Sequence, residues 1–180
     1  MKKYVLIATV GVTLGLGGLF IYMKEPLYRE APTQALVING EHEIIPAGYK
    51  KYQNTKYGFS ILYHEALSQK EIDEGGNAST IVFQNPEEGK GFQIFVVPYN
   101  GEQVSEERFR QDIPSGVREK TEEIIVSGAK GVAFYSQDPF LGDTREVWIL
   151  HGGYLYELTT FKAYEAELQT VLQTWRFLRS

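Results

Sequence analysis

The chain has 180 residues and a net charge of −5, and 43% of its residues are hydrophobic. This length predicts one globular domain with an additional segment, and the composition excludes a chain that is disordered throughout. Cysteine is absent, which excludes disulfides, thiolate nucleophiles, cysteine-ligated metals and a cysteine-linked lipid anchor.

The N-terminus contains 20 consecutive residues without a charge, YVLIATVGVTLGLGGLFIYM at 4–23. A helix of this length extends about 30 Å, the thickness of a bilayer core. We expect residues 1–23 to form an uncleaved single-pass transmembrane anchor that contacts the lipid bilayer through 4–23. A cleaved signal peptide is the alternative, although its apolar region is normally shorter and ends at a small-x-small site that is missing here. A buried soluble helix comes third, because the segment has no polar face.

The orientation of this anchor depends on few charges. Lys2 and Lys3 precede the apolar run, while Lys24 and Arg29 follow it, so the positive-inside count is nearly balanced. The very short N-terminal tail favours a cytoplasmic N-terminus. We therefore expect a cell-membrane protein whose C-terminal domain is extracytoplasmic.

Three glycines on the predicted anchor, Gly11, Gly15 and Gly18, form a pattern of small residues that lets two membrane helices approach closely. They are the candidate residues for self-association through the membrane helix. The alternative is that glycine is simply frequent in membrane helices. The nearby GLGGL follows no strand and is not a dinucleotide-binding motif.

Residues 24–180 contain 16 basic and 23 acidic residues, a net charge of about −7. A protein part this acidic is a poor candidate for binding nucleic acid or anionic lipid headgroups. Residues 24–52 resemble a tether, because three prolines interrupt helix formation and no period is sustained. Within it, Asn39-Gly40 predicts a small hairpin at 35–46, and the sequence leaves open whether this hairpin docks on the domain.

From residue 53 to 180 the pattern predicts one α+β domain. KYGFSILYH (56–64) alternates as a strand, with Tyr57, Phe59 and Ile61 on one face. Ser105 is a suitable N-cap for a short helix in VSEERFRQDIP. The other predicted strands are 79–85, 91–99, 122–128, 131–138, 144–151 and 154–161, of which the last four should form an antiparallel meander. FKAYEAELQTVLQTWRFL (161–178) predicts an amphipathic helix of about four turns that lies across the sheet.

His151-Gly152-Gly153 resembles part of an esterase oxyanion loop, but the chain has no nucleophile elbow of the form G-x-S-x-G. The nearest string begins at Gly58 and lies inside a predicted strand, so a tight turn between two strands is the better interpretation. Glycines supply the positive φ angles that a two-residue hairpin requires.

The remaining candidate groups do not indicate a catalytic, cofactor or metal site. Neither His42 nor His64 belongs to H-E-x-x-H. Asp138 and Asp143 flank a turn that lacks the spacing of a calcium loop. The acidic groups at 71–74, 87–88, 106–107 and 122–123 each follow a turn or begin a helix, which does not suggest the paired carboxylates of a glycosidase.

The order of the elements in residues 53–179 resembles the Mog1/PsbP-like superfamily, especially its small membrane-anchored or exported bacterial members. The resemblance rests on the opening strand YGFSILYHEAL and the closing stretch GYLYELTTFKAYEAELQTVLQTWRFL. His64 departs from the Tyr-Pro expected after the first strand of that family. The resemblance implies an antiparallel sheet of about six or seven strands in an α/β/α sandwich, preceded here by the transmembrane helix.

The resemblance also implies an accessory or scaffolding role rather than catalysis. We therefore expect a membrane-anchored, non-catalytic, extracytoplasmic module that binds a protein partner whose identity the sequence does not give. A small-ligand or lipid-binding domain with an aromatic pocket between sheet and helix is the alternative. A hydrolase is the third possibility.

Overall fold

The computed structural model describes residues 44–139 and 141–178. In that part of the chain, ten strands and two α-helices are joined by short turns. The helices are α1 (Glu106–Asp112) and α2 (Glu165–Thr174), the latter preceded by a 3-10 turn at Lys162–Tyr164. The strands in chain order are β1 (Tyr49–Asn54), β2 (Phe59–His64), β3 (Ser68–Gly75), β4 (Ala78–Asn85), β5 (Lys90–Pro98), β6 (Glu119–Val126), β7 (Ala129–Asp138), β8 (Gly142–His151), β9 (Tyr154–Phe161) and β10 (Arg176–Phe177).

Seven of the strands form one antiparallel sheet in the order β3-β4-β5-β9-β8-β7-β6. Strands β6 to β9 are consecutive neighbours, which confirms the predicted meander. The long segment between β5 and β6 carries α1, and β9 then pairs with β5 to join the two halves of the sheet. The number of strands in this sheet agrees with the predicted six or seven.

A second, three-stranded sheet in the order β1-β2-β10 was not expected from the sequence. Together with α2 it covers one face of the large sheet. The main core lies between these layers and includes Phe59 and Ile61 of β2, Leu168 of α2, and Trp175. Tyr57, Phe59 and Ile61 are buried as predicted, and Ser60 and Leu62 on the other face of β2 are buried as well.

The opposite face of the large sheet is covered in part by α1. Phe109 of this helix stacks on Trp148 of β8 with ring centroids 4.7 Å apart. Ser105 caps the helix by accepting a hydrogen bond from the Arg108 backbone N–H, as predicted. The described residues thus form an α+β sandwich in which one outer layer is part sheet and part helix.

Three elements differ from the sequence predictions. The charged stretch SQKEIDEG forms the edge strand β3, although its acidic residues were assigned to a turn. The C-terminal helix ends at Thr174 rather than 178, and the next residues pair with β2 as β10. Strand β1 crosses position 52, where the tether was expected to end.

The predicted span at 4–23, its glycines Gly11, Gly15 and Gly18, and most of the predicted hairpin at 35–46 lie outside the described residues. Within the residues that are described, no helix is both long enough and apolar enough to cross a membrane.

Candidate functional site

A cleft of about 290 Å³ lies at the end of the sheet where β5 begins. Its walls are the loop after β2, the turn between β4 and β5, and the first turns of α2. Two short loops and a helix meet here without filling the space between them. The lining residues are Tyr49, His64, Ala66, Leu67, Asn85, Glu88, Lys90, Gly91, Phe92, Thr160, Tyr164, Glu167, Leu168, Thr170 and Val171.

The floor of the cleft is apolar and firmly supported. Phe92 stacks on Phe83 with centroids 4.6 Å apart. Leu168 and Val171 project from α2 and are buried in the main core. These three side chains are nearly fully buried, so the accessible apolar surface of the cleft comes mainly from the half-buried Tyr49, Leu67 and Tyr164 on its walls.

The rim of the cleft is polar and carries the charges. Lys90 and Glu88 form an ion pair of 2.8 Å across the β4–β5 turn. The hydrogen bond from Lys90 lowers the pKa of Glu88, and the same bond raises the pKa of Lys90. Glu167 is exposed on α2 and lies close enough to Lys90 to raise the pKa of that ammonium further. Lys90 is therefore paired with Glu88, and Glu167 adds a second acidic side chain to the same rim.

His64 and Glu88 line the same cleft, so a histidine and one of the acidic groups do come together. The two threonine hydroxyls beside them already donate hydrogen bonds to backbone carbonyls. The Thr160 hydroxyl donates to the Gly91 carbonyl at 2.8 Å, and the Thr170 hydroxyl donates to Ala166 at 3.2 Å. A glutamate whose pKa is lowered by a lysine is a weak general base. This chemistry favours binding over hydrolysis.

His64 itself is oriented by the loop that follows β2. Its Nδ1 accepts a hydrogen bond from the Ala66 backbone N–H at 3.2 Å, and its ring meets Tyr49 edge-on at 5.8 Å. An Nδ1 that accepts must leave the proton of a neutral ring on Nε2. The imidazole thus presents a donor rather than an acceptor at its free nitrogen.

A second cluster of charged groups lies under α1. Arg108 donates from Nε and Nη2 to Glu157 Oε1 at 3.2 and 3.0 Å and also contacts Asp112. All three side chains are largely buried. Burial raises the pKa of Glu157 well above its usual value, the neighbouring Asp112 carboxylate raises it further, and Arg108 opposes both effects. Two buried carboxyl groups thus share one guanidinium, and the cluster ties α1 to β9.

Glu146 on β8 is a third buried carboxyl group. Its two oxygens accept hydrogen bonds from Thr144 and Thr159, each at 2.7 Å. Burial raises the pKa of Glu146 to about 7, and the two threonine hydroxyls limit the increase. Both threonines come from the strands themselves, so this group is held by the sheet.

An open groove of about 520 Å³ runs along β1 and β3. Three of its polar side chains form hydrogen bonds with one another. Asn54 donates to the Tyr52 hydroxyl at 2.9 Å, and that hydroxyl donates to Glu71 at 3.1 Å. Burial raises the pKa of Tyr52 to about 12, so the phenol stays protonated. These contacts link β1 to β3 and stabilise the edge of the fold.

The other predicted candidates are dispersed. His151 ends β8, and its ring stacks on Phe177 with centroids 3.8 Å apart. His42 lies outside the described residues. The Asp138 carboxylate accepts a hydrogen bond from the Leu141 backbone N–H at 2.8 Å, an interaction that is common in turns. Asp143 Oδ2 lies 3.7 Å from Lys162 Nζ. In the described ranges no three histidine, aspartate or glutamate side chains are placed to hold a metal ion.

Sequence patterns did not reveal the cleft or the buried carboxyl groups. Leu67 and Glu88 lie in turns, and they meet α2 only after the sheet has formed. Glu146 precedes the apolar run of β8 in REVWIL, and Glu157 interrupts the apolar residues of β9 in LYELT. A charged residue on the inward face of a strand was the one available signal.

Comparisons with known proteins support the fold. A solution structure of cyanobacterial PsbP (CyanoP) from Synechocystis sp. PCC 6803 is similar, with a TM-score of 0.53 and 14% sequence identity. The match covers 77% of this chain and 98% of that chain. No family model and no curated protein matches the sequence. The described part of the chain therefore has a PsbP-like fold, as the resemblance implied.

Proposed function

We propose that this protein is a non-catalytic accessory module that binds a protein partner at the membrane surface. A single N-terminal helix in 4–23 holds it there, with the domain outside the cytoplasm. The observation that carries this proposal is the PsbP-like fold, which the sequence resemblance associates with accessory roles. An anchor restricts the search for a membrane partner to a plane and raises the effective concentration of the domain.

The chemistry of the cleft beside α2 supports this proposal over a hydrolase. Glu88 is neutralised by Lys90, and the nearby threonine hydroxyls donate to backbone carbonyls. A nucleophile requires a free hydroxyl and a base within hydrogen-bond reach. The same cleft offers an apolar floor and a charged rim, a combination typical of recognition surfaces.

Topology is tested by protease protection of the full chain in right-side-out and inverted membrane vesicles. The domain should be digested only in right-side-out vesicles, because the proposed orientation places residues 24–180 outside the cytoplasm. Digestion only in inverted vesicles would reverse the orientation, and digestion with no membrane association would exclude the anchor.

Partner binding is tested by placing a photo-crosslinking amino acid at Ile125 and at Ala66 in the full chain, in membranes of the native host. Ile125 is 67% exposed on the edge strand β6, which is unusual for a large apolar side chain. Glu102, exposed in the loop before α1, is the matched control position. One discrete protein adduct from either test position supports the proposal. No adduct, together with a small molecule retained by the purified chain, would overturn it.

Small-ligand binding is the second candidate function, because the cleft lies between the sheet and α2 as that alternative requires. It contains one phenylalanine and two tyrosines, Phe92, Tyr49 and Tyr164. Extraction of the purified chain with organic solvent, followed by mass spectrometry, should then release one compound in stoichiometric amount. Loss of that compound from the Ala66→Trp variant would place it in the cleft.

A further inference from the structure

The size and charge of the cleft beside α2 suit the binding of a single side chain. Its volume of about 290 Å³ lies at the lower limit of ligand pockets, which commonly span roughly 300–1,000 Å³. That space accommodates one large apolar side chain and its immediate backbone, whereas an extended cofactor would protrude. The apolar walls formed by Tyr49, Leu67 and Tyr164 suit such an apolar group.

The mouth of the cleft is acidic. Its two loops, 65–67 and 86–89, contain three glutamates, Glu65, Glu87 and Glu88, and neither lysine nor arginine. Glu167 adds a fourth carboxylate from α2. Lys90 is the single ammonium group that lines the cleft, and it is paired with Glu88 at 2.8 Å. A positively charged segment would therefore be attracted, and a negatively charged one repelled.

We propose that this cleft seats one apolar side chain from a positively charged segment of the protein partner. This inference rests on the proposed partner-binding function and names the chemistry of the contact. The apolar side chain packs against the half-buried Tyr49, Leu67 and Tyr164, with the buried Phe92 below them. Basic residues on either side of it face Glu167 and the glutamates of the two loops. Anchors of this kind, in which an aromatic or aliphatic group fills a pocket inside a polar rim, contribute most of the affinity of many interfaces.

The test uses the full chain in nanodiscs of phosphatidylcholine, a neutral lipid that does not attract basic peptides. The probes are three blocked, fluorescently labelled tetrapeptides: Lys-Phe-Leu-Lys, Glu-Phe-Leu-Glu and Lys-Ala-Ala-Lys. Binding is measured by fluorescence anisotropy. The first peptide should bind about tenfold or more tightly than either of the others, because only it combines an apolar group with basic flanks. Equal binding of all three, or no saturable binding of the first, would overturn the proposal.

Paired variants locate the binding site. Glu167→Lys should weaken binding of Lys-Phe-Leu-Lys about fivefold or more, while Glu102→Lys, the same charge change near the opposite end of β5, should change it less than about twofold. Ala66→Trp should fill the mouth and abolish binding, while Ala166→Trp, on α2 but outside the cleft lining, should not. All four positions are exposed, and thermal melts will verify that each variant is folded. Equal effects within either pair would contradict the assignment.

A competition experiment distinguishes a peptide from a small amphipathic amine. If hexylamine displaces the peptide at equal concentration, the cleft recognises a small molecule, and the inference is overturned. A partner adduct from Ile125 with no peptide binding would overturn the cleft inference alone and leave the proposed function standing. Peptide binding together with no partner adduct and a small molecule retained by the purified chain would overturn the proposed function and leave the chemistry of the cleft as stated.

Discussion

His151, Gly152 and Gly153 form a turn between β8 and β9. Gly152 and Gly153 have φ angles of 59° and 82°, the left-handed region that glycine adopts without steric cost. The His151 ring stacks on Phe177 of β10, so its partner is an aromatic side chain of the second sheet. The residues that resemble an oxyanion loop thus join two strands and pack the corner beside them.

Replacing Gly152 by valine should destabilise the protein by about 1–2 kcal/mol, because a β-branched residue is strained at positive φ. Gly152→Asn should cost much less, because asparagine tolerates this region. Urea denaturation of the two variants measures the difference. Since a Cβ at Gly152 meets no atom within 4 Å, equal stability of both variants would show that the turn imposes no backbone constraint.

Glu146 gives the stability of the protein a specific pH dependence. Its pKa is raised from 4.5 to about 7 by burial, so the folded state keeps a proton that the unfolded chain releases above pH 4.5. The contribution of this group to the free energy of unfolding is therefore fully present below pH 4.5 and falls as the pH rises to 7. At 1.36 kcal/mol per pH unit, the loss amounts to about 3 kcal/mol.

The Glu146→Gln variant should lose this part of the pH dependence. Glutamine retains an oxygen and an NH₂ group for the hydroxyls of Thr144 and Thr159, which can both donate and accept. The variant should therefore match the wild type near pH 4.5 and exceed its stability at pH 8 by about 1–3 kcal/mol. Urea denaturation at four pH values tests this. If the free energy of unfolding of the two proteins changed with pH in the same way, the burial of the Glu146 carboxyl group would be contradicted.

At the level of elements, the C-terminal helix ends at Thr174, although the helical spacing of its apolar residues continues beyond that point. The Thr174 hydroxyl donates to Val171 and accepts from the Leu62 backbone N–H at 2.9 Å, which links the last turn to β2. Leu178 N–H then donates to Gly58 O at 2.8 Å. These contacts with β2 favour an extended backbone after Thr174, although the apolar spacing continues to 178.

Trp175 is the residue at this junction, and it is fully buried, with its ring stacked on Phe59 at 4.5 Å. Trp175→Ala should destabilise the protein by about 3–5 kcal/mol, since it removes an aromatic ring from the main core. Gln173→Ala, an exposed substitution two residues earlier, should change the stability by less than about 0.5 kcal/mol. A loss below about 1 kcal/mol for the tryptophan variant in denaturant melts would contradict the packing.

Helix α1 has only seven residues and depends on tertiary contacts for its stability. Arg108→Met should cost about 3–5 kcal/mol at pH 7.5, because Asp112 and Glu157 would be left buried without a cation. The loss should be smaller at pH 5, where the carboxyl pair is more fully protonated. Chemical denaturation at both pH values measures it. A loss that is larger at pH 5 would contradict the charge arrangement under α1.

At the level of the whole molecule, local patterns predicted the large sheet well. Alternation along β2 and the turns between β6, β7, β8 and β9 depend on neighbours in sequence, and all are present in the structure. The edge strand β3 was not identified, because its charged residues face solvent and leave no alternation to recognise. Local signals therefore located the elements whose faces are buried.

The candidate site could not be predicted in the same way. The cleft joins residues as distant as Leu67, Glu88 and Glu167, which meet through the pairing of β9 with β5 and the packing of α2 against β2. The cluster of Arg108 and Glu157 spans 49 positions. Such groupings depend on long-range topology, whereas single-sequence patterns report nearest neighbours along the chain.

Native mass spectrometry of the full chain, extracted gently from the membranes of its host, tests the proposed function most directly. The account predicts a discrete complex in which the 20.4 kDa chain is joined by a different protein in fixed stoichiometry. The Glu167→Lys variant should yield less of this complex than the Glu102→Lys variant. A chain that is recovered with no other protein, or with a bound small molecule in place of one, would contradict the account.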